Sequence, residues 1–344
     1  MRISYILLLL TTFLFFNCET VFFEEETPLN PQAIFEEAWE FADQEYSFFD
    51  YKKIDWNAVR AEYSQRINPE MNREELFDVI ADMLFELRDG HVNLRASFDR
   101  SRNWRWFLEF PPNYNYDILE RNYFQEEQQF VGSFIVYDFG DVGYMHYRSF
   151  SSSVSEGALN YIMEKFKDHK GIIVDIRDNG GGSSGNVTRI SRRFTKEPIL
   201  VGRECYRNGV NHNDFSEWED VTLEPYDPDS DIENDTTVYH FTKPVALLTN
   251  RSCYSAASFF TQYMKALPNV TVMGDWTGGG GGAPSFTELG NGWRMRVSNT
   301  QFESPDGFNI ENGIPPDVAV ELKKEDADAG KDTILEEALI FLRK

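Results

Sequence analysis

Hydrophobic residues recur every three to four positions in the N-terminal part of the chain, which is the spacing of a buried helix face. Three such stripes follow one another: Ile34, Ala38, Phe41 and Ala42; then Val59, Tyr63 and Ile67; then Leu76, Ile80, Met83, Leu84 and Leu87. The pattern predicts a helical subdomain over residues 29–95. We expect its last helix to end at Asp89-Gly90, because glycine accommodates the left-handed conformation of a helix C-cap.

The pattern changes from about residue 134, where short apolar runs alternate with amphipathic segments. Strands are expected at 134–139, 143–147, 171–176, 199–206, 237–241 and 245–248, and helices at 155–166, 185–194, 256–267 and 333–342. Strands that alternate with helices of this length indicate a mainly parallel sheet covered on both faces. We therefore predict an α/β core over residues 96–344. Its first part, residues 95–130, is aromatic-rich and irregular, and is expected to form short strands and loops.

The first 28 residues have the pattern of an export signal. Met1-Arg2 carries one positive charge, and Ile3–Phe16 is a run of 14 mostly apolar residues. At ~1.5 Å per residue this run is too short for the ~30 Å hydrocarbon layer, which favours a signal peptide over a permanent transmembrane helix. Cys18 at its end resembles the lipidated cysteine of bacterial lipoproteins, although Phe15-Phe16-Asn17 matches that signal loosely. An ordinary secretory signal with an incidental cysteine is the alternative.

This interpretation predicts a signal peptide over residues 1–17, a lipid on Cys18 and a flexible acidic tether over residues 18–28. The protein would then be anchored in the cell envelope, facing either the periplasm or the outside of the cell.

Composition and charge narrow the possible functions. The chain has 344 residues, of which 41% are hydrophobic and 15% aromatic, enough to bury one large core or two modest ones. Its formal net charge of −24 repels phosphate backbones, so nucleic-acid binding is not expected. The chain has no Cys-x-x-Cys and no His-Glu-x-x-His, and we predict neither a metal nor another cofactor. Cys205 and Cys253 could form a disulfide after export, but their spacing does not decide it.

Three polar segments could carry chemistry. In residues 171–182 a buried strand runs into three glycines, where a tight turn can point backbone N–H groups at an anion. Residues 250–258 lie between a strand and a helix, which places Ser255 near the helix N-terminus, where negative charge is stabilised. Residues 87–91, Leu-Arg-Asp-Gly-His, place His91 in a loop. Each segment also has a purely structural interpretation: a glycine turn, a serine N-cap, and a loop histidine without function.

Taken together, the three segments resemble, in chain order, three motifs of the tail-specific (C-terminal processing) protease family: Asp-Gly-His, Asp-Leu-Arg-x-Asn-x-Gly-Gly and Ser-Ala-x-x. The resemblance covers roughly residues 28–342, and the second motif is its most specific part. Many members use a Ser–Lys dyad whose lysine lies in a Gly-rich turn after the serine, but the matching turn here, Gly274–Gly282, contains no lysine. The chain is therefore more similar to the tricorn-core branch. The resemblance implies a ClpP/crotonase-like mixed α/β sheet with flanking helices.

The resemblance also implies a serine peptidase that forms an acyl-enzyme. Ser255 would be the nucleophile, and His91 the base, since the pKa of imidazole suits that task. Glu311, in the segment Asn309–Asp317, would bind the far nitrogen of His91 and orient it. Competing carboxylates are Glu288, Glu303 and Asp275. The oxyanion hole would consist of backbone N–H groups of Gly181, Gly182 and Ala256.

The same fold family includes ligand-carrying modules. A catalytically inactive surface lipoprotein that binds a peptide or a hydrophobic ligand is therefore the alternative. Only about 40 residues separate Leu94 from Phe134, too few for the peptide-binding PDZ insert of many family members. The expected partners are a peptide or protein substrate and, through the lipid on Cys18, the membrane. The oligomeric state is not predicted.

Overall fold

The computed structural model of the protein describes residues 30–102, 109–227 and 240–344. The predicted signal peptide (1–17), Cys18 and the acidic tether (18–28) lie outside these ranges, as does most of the predicted strand 237–241. Among the helices that are described, none has the length and hydrophobicity needed to cross a membrane.

The helices and strands follow the chain in this order. The described strands are β1 (Asn93–Arg95), β2 (Gln129–Val131), β3 (Phe134–Asp138), β4 (Val142–Tyr147), β5 (Gly171–Asp175), β6 (Ile199–Tyr206), β7 (Glu219–Leu223), β8 (Val245–Thr249), β9 (Val270–Gly274), β10 (Pro284–Glu288), β11 (Arg294–Ser298), β12 (Thr300–Glu303) and β13 (Val318–Ala319). The described helices are α1 (Pro31–Glu45), α2 (Phe49–Lys52), α3 (Trp56–Tyr63), α4 (Arg73–Phe85), α5 (Tyr116–Ile118, continued by a π-helical turn Leu119–Phe124), α6 (Glu156–Phe166), α7 (Ser184–Ser191), α8 (Ala256–Lys265), α9 (Lys324–Asp328) and α10 (Thr333–Arg343).

A seven-stranded sheet in the order β13-β9-β8-β5-β4-β3-β2 forms the centre of the α/β core. The strands from β13 to β4 are parallel, and β3 and β2 are added antiparallel. Every residue of β5 and β8 is buried, because α6, α7 and α8 pack on one face and α10 with the π-helical turn on the other. Strands buried on both faces have near-continuous apolar sequences. The predicted fold class, a mixed α/β sheet with flanking helices, is confirmed.

The N-terminal helices form a second core with a separate three-stranded sheet, β1-β11-β10. Met295 and Val297 of β11 are buried among these helices. Successive side chains of a strand point to opposite faces, so Arg294 and Arg296 lie on the face away from the helices. β10 and β11 were not predicted from the sequence. The core of the helical region is therefore completed by residues some 200 positions further along the chain.

The end of α4 differs from the prediction. The helix ends at Phe85, and the residue with left-handed backbone is Arg88 (φ 48°) instead of Gly90. Glycine is needed at position 90 for another reason: a Cβ there would lie 2.8 Å from the hydroxyl oxygen of Tyr254. The turn therefore packs closely against the residue that precedes Ser255.

Candidate active site

Ser255 lies on a strained turn at the N-terminus of α8. Its backbone angles are φ 57° and ψ −124°, and its side chain makes no capping hydrogen bond to the helix. A positive φ costs a residue with a Cβ on the order of 1–3 kcal/mol, so neighbouring groups must hold the turn. The amide of Ser255 donates to the Gly279 carbonyl at 2.9 Å, and the amide of Tyr254 donates to the Asn179 carbonyl at 3.1 Å. The interpretation of Ser255 as a simple capping serine is therefore not supported.

His91 contacts this serine directly. Its Nε2 lies 2.8 Å from Ser255 Oγ, although the two residues are 164 positions apart. The sequence placed His91 in an open loop, but the side chain is only 7% exposed. Burial lowers the pKa of His91 below its ordinary value of 6.5, against the opposing effect of the Asp89 carboxylate. A neutral imidazole at hydrogen-bond distance can accept the serine proton.

Asp89 and Tyr254 hold the turn that carries His91. Oδ1 of Asp89 accepts hydrogen bonds from the backbone amide of His91 at 2.7 Å and from the Tyr254 hydroxyl at 3.2 Å. Its Oδ2 accepts from the hydroxyl of Ser298 at 2.7 Å. Asp89 was not predicted to have a role of its own, although it belongs to the Asp-Gly-His motif that identified His91.

Glu311 is buried nearby but does not make the predicted hydrogen bond to His91. Nδ1 of His91 forms no hydrogen bond with any residue that the structure describes. Oε1 of Glu311 lies 2.6 Å from Lys52 Nζ, and Oε2 accepts from the Gly281 amide at 2.8 Å. The reason is electrostatic: the buried ammonium of Lys52 needs a negatively charged partner, and the Glu311 carboxylate pairs with it instead of with His91.

Lys52, which the sequence did not single out, connects Glu311 to the loop before His91. Its ammonium also donates to the carbonyls of Leu87 and Arg88, at 3.3 and 3.1 Å. Burial raises the pKa of Glu311 to about 7, the negative charge of Asp89 adds to this effect, and Lys52 opposes it. The pair therefore consists of a lysine and a carboxyl group that titrates near neutrality.

The three competing carboxylates are occupied elsewhere. Their partners are Asn113 and Arg251 for Asp275, Arg294 for Glu288, and Arg203 for Glu303. None of these contacts includes His91. Within the described ranges, no carboxylate replaces Glu311 as a direct partner of the ring.

The glycine turn after β5, which the family resemblance assigned to an oxyanion hole, lies against Ser255. A Cβ at Gly181 would lie 2.9 Å from the Ala256 amide nitrogen, so only glycine allows this approach. The Gly181 amide, however, already donates to Asn179 Oδ1 at 3.0 Å. The amide of Gly182 donates to no described residue, and that of Ala256, the first residue of α8, has no intrahelical acceptor. Gly182 and Ala256 are thus the available donors, and Gly181 shapes the turn.

These groups open onto a cavity of about 790 Å³ whose lining includes His91, Gly181, Gly182, Ser255 and Arg296. A volume of this size accommodates several side chains of a peptide. Cys205 and Cys253 are both free and buried, so they form no disulfide with each other. In the described part of the chain, no cluster of His, Cys, Asp or Glu has the arrangement of a metal site.

Two family profiles match the chain, and a solved structure is similar to it over most of its length. The profile of Peptidase family S41 matches residues 141–320, and that of the Tricorn protease C1 domain matches residues 28–85. The crystal structure of a peptidase candidate from Parabacteroides merdae ATCC 43184 is 41% identical and superposes with a TM-score of 0.84, covering 91% of this chain and 97% of that one.

Two curated proteases are more distant. The carboxy-terminal processing protease CtpB of Bacillus subtilis (strain 168) is 24% identical over 181 residues, which are 52% of this chain and 34% of that protein. The tricorn protease of Thermoplasma volcanium is 29% identical over 212 residues, 58% of this chain and 17% of that protein. The chain thus spans about a third or less of the length of these relatives. The first profile covers more than half of the chain and includes the glycine turn and Ser255. The chain belongs to peptidase family S41.

Proposed function

We propose that this protein is a serine peptidase that hydrolyses peptide bonds through an acyl-enzyme. The observation that carries the proposal is the 2.8 Å contact between Ser255 Oγ and His91 Nε2 on a strained turn that faces the cavity. Strain at a single residue with a Cβ is typical of a catalytic turn. Membership of the S41 family supports serine-peptidase chemistry at the level of the family.

In the proposed reaction, Ser255 Oγ attacks the carbonyl carbon of the scissile bond, and His91 Nε2 takes the hydroxyl proton. The same imidazolium then gives this proton to the leaving amine, and the C–N bond breaks to leave an ester on Ser255. Water attacks that ester while His91 accepts one of its protons, and the returning proton regenerates the serine. No step requires a group from outside the chain other than substrate and water.

The negative charge on the carbonyl oxygen would be stabilised by the amides of Gly182 and Ala256. One such donor contributes about 3 kcal/mol to transition-state stabilisation, because it is already oriented and water is excluded. We assign Gly181, whose amide is bound to Asn179, to the shape of the turn instead.

For Glu311 we propose a positioning role. Its carboxylate holds Lys52, and Lys52 holds the carbonyls of Leu87 and Arg88, just before the turn that carries His91. Glu311 would then act on the place of the imidazole through the loop, while Asp89 fixes the turn itself. This differs from a triad in which the carboxylate touches the ring.

The experiment that tests the proposal is labelling with a fluorophosphonate, which reacts with activated serines. We expect the wild-type protein to be labelled, and Ser255→Ala and His91→Ala to lose the label. Ser252→Ala, a serine in the same loop, serves as the control and keeps it. Absence of labelling in the wild type, or equal labelling of Ser255→Ala, would contradict the proposal. A wild-type protein that is not labelled but still binds peptides would favour the inactive binding lipoprotein.

We further propose peptides or proteins as substrates, and a location in the cell envelope with a lipid on Cys18. The support for the location is the pattern of the first 28 residues alone. Metabolic labelling with an alkyne fatty acid tests it: the full-length protein should carry the label and Cys18→Ala should not. A soluble, unlabelled wild type would favour the ordinary secretory signal.

A further inference from the structure

One wall of the cavity carries an arginine, although the chain has a net charge of −24. The wall is the sheet β1-β11-β10, and the arginine is Arg296 of β11, which lines the cavity together with His91 and Ser255. Arg296 lies opposite Asn93 of β1 and Phe286 of β10. It is therefore in the middle strand of the wall, where the backbone is paired on both sides.

The strand fixes the direction of this side chain. Met295 and Val297, its two neighbours, are buried among the N-terminal helices, and alternation turns Arg296 to the opposite face. Nε of Arg296 donates to Asn93 Oδ1 at 2.8 Å, which limits the rotation of the guanidinium. The group is thus held in place before any ligand arrives, which reduces the entropy lost on binding.

Arg296, which is partly buried, lacks the carboxylate partner that the two fully buried arginines, Arg177 and Arg193, have. Arg177 is bound by the carboxylates of Asp175 and Asp332, and Arg193 by that of Glu156. By contrast, no described carboxylate forms an ion pair with Arg296, and only its Nε has a hydrogen-bond acceptor among the described residues. A guanidinium has five N–H donors, so most of the hydrogen-bonding capacity of Arg296 is unused.

Asp89 does not compensate this charge by contact. Both of its oxygens are taken by the His91 amide, the Tyr254 hydroxyl and the Ser298 hydroxyl. A second cation, Arg100, lies close enough to act on the titration of Arg296. The guanidinium of Arg296 therefore lines the cavity without a contacting carboxylate, although the charge of Asp89 acts on it from a distance, and it can pair with a negatively charged ligand.

We propose that Arg296 binds a carboxylate of the substrate beside the scissile bond, so that the enzyme prefers peptides that carry one there. The inference rests on the proposed peptidase function and names the substrate class of that site. A planar guanidinium pairs with a carboxylate through two parallel hydrogen bonds, which gives both affinity and orientation. Either an Asp or Glu side chain or the free C-terminus of the peptide supplies that chemistry.

The test uses internally quenched peptides that differ in one group. In one series, each position near the cleavage site carries Glu in one peptide and Gln in its partner. In a second comparison, the same peptide has either a free or an amidated C-terminus. We expect wild type to prefer one of the acidic forms by roughly 10- to 100-fold in kcat/KM. A preference that follows the Glu/Gln pair identifies a side chain, and one that follows the acid/amide pair identifies the C-terminus.

The variants that test the role of Arg296, and their control, all lie on strand β11. Arg296→Gln should bring the preference close to 1, Arg296→Lys should retain part of it, and Arg296→Glu should shift it toward peptides with lysine at that position. Arg294→Gln is the matched control, because Arg294 is on the same face but exposed and ion-paired with Glu288 at 3.4 Å. It should keep the wild-type preference. Thermal unfolding of each variant excludes loss of the fold as the cause.

A binding measurement separates this inference from the proposed chemistry. Fluorescence anisotropy of the same peptides on Ser255→Ala should show the carboxylate preference, and on Ser255→Ala/Arg296→Gln it should be absent. A wild type that fluorophosphonate does not label, but that still binds the carboxylate peptides better, would overturn the peptidase proposal and leave the role of Arg296 standing. A folded Arg296→Gln with an unchanged preference, or a wild type that binds both members of each pair equally, would overturn the role of Arg296.

Discussion

Replacing Glu311 by glutamine should change how the stability of the protein depends on pH. The Glu311 carboxyl is 3% exposed, and burial raises its pKa from 4.5 to about 7. Between these two values the folded protein holds a proton that the unfolded chain has released. Because the folded state binds more protons, the free energy of unfolding falls as the pH rises through this window and levels off above about pH 7.

The size of the effect follows from the interval between the assay pH and this pKa. At pH 5.5, about 1.5 units below it, the bound proton stabilises the wild type by about 2 kcal/mol, and at pH 8.5 by almost nothing. The amide side chain of Glu311→Gln does not titrate, so this contribution is missing from the variant at every pH. Between pH 5.5 and 8.5, the free energy of unfolding of the wild type should therefore fall by about 2 kcal/mol more than that of the variant.

Urea unfolding at both pH values measures this difference. The variant has a fixed cost as well, since an amide cannot satisfy both Lys52 and the Gly281 amide, but that cost is the same at both pH values. Working at pH 5.5 keeps the protein above its isoelectric point of about 4.6. Parallel pH profiles for wild type and Glu311→Gln would refute the reasoning, because they would mean that Lys52 keeps Glu311 ionised throughout.

Two further variants make the test specific. Lys52→Met removes the charge that lowers the pKa of Glu311, so the loss of stability between pH 5.5 and 8.5 should be larger than in the wild type. Glu288→Gln removes an exposed carboxylate paired with Arg294, and should change the free energy of unfolding by less than about 0.5 kcal/mol at either pH. If the pH dependence of stability changed more in Glu288→Gln than in Lys52→Met, it could not be assigned to the buried pair of Lys52 and Glu311.

Two other predictions concern the site. Gly182→Ala should lower the free energy of unfolding by at least about 2 kcal/mol and abolish fluorophosphonate labelling, because its Cβ would collide with the backbone at Ser151 and its φ is 144°. Gly180→Ala, with no atom within 4 Å, should change that free energy by less than about 0.5 kcal/mol, and equal destabilisation of both would contradict the argument. The labelling rate should rise with a midpoint below pH 6.5, because burial lowers the pKa of His91 and only the neutral imidazole accepts the proton of Ser255. A smaller further rise near pH 7 is expected as Glu311 ionises and Lys52 holds the loop before His91 more tightly, after which the rate should stay constant. A rate that still rises above pH 8 would exclude His91 as the base.

The strands and helices that could be predicted are those whose burial is set by near neighbours in the chain. β5 and β8 are buried at every position, so their sequences are continuous apolar runs, and their predicted and observed limits agree within two residues. β11, Arg-Met-Arg-Val-Ser, carries only two apolar residues that face a core. That core belongs to helices 200 positions earlier, and nothing near β11 in the sequence indicates them.

The same distinction applies to the site. Ser255 and His91 lie in local motifs, and the fold brings them within hydrogen-bond distance. The partner of Glu311 could not be predicted in this way, because it is decided by competition between buried groups. Lys52 lies in a four-residue helix without a motif, 259 positions from Glu311. A buried ammonium requires a counter-charge more strongly than a neutral imidazole does, so the lysine is paired and the ring nitrogen is not.

The two cores depend on each other through the candidate site. Ser255 belongs to the α/β core and His91 follows the N-terminal helices, so their 2.8 Å contact exists only while the two cores keep their relative place. Lys52 and Glu311 form an ion pair across the same boundary, with Lys52 bound to the loop that leads to His91. An ion pair whose acid titrates near pH 7 weakens as that acid is protonated, while the buried carboxyl itself becomes more stable. Protonation of Glu311 should therefore stabilise the fold and loosen the placement of His91, the proposed base, so that the pH of greatest stability lies below the pH at which fluorophosphonate labelling is fastest.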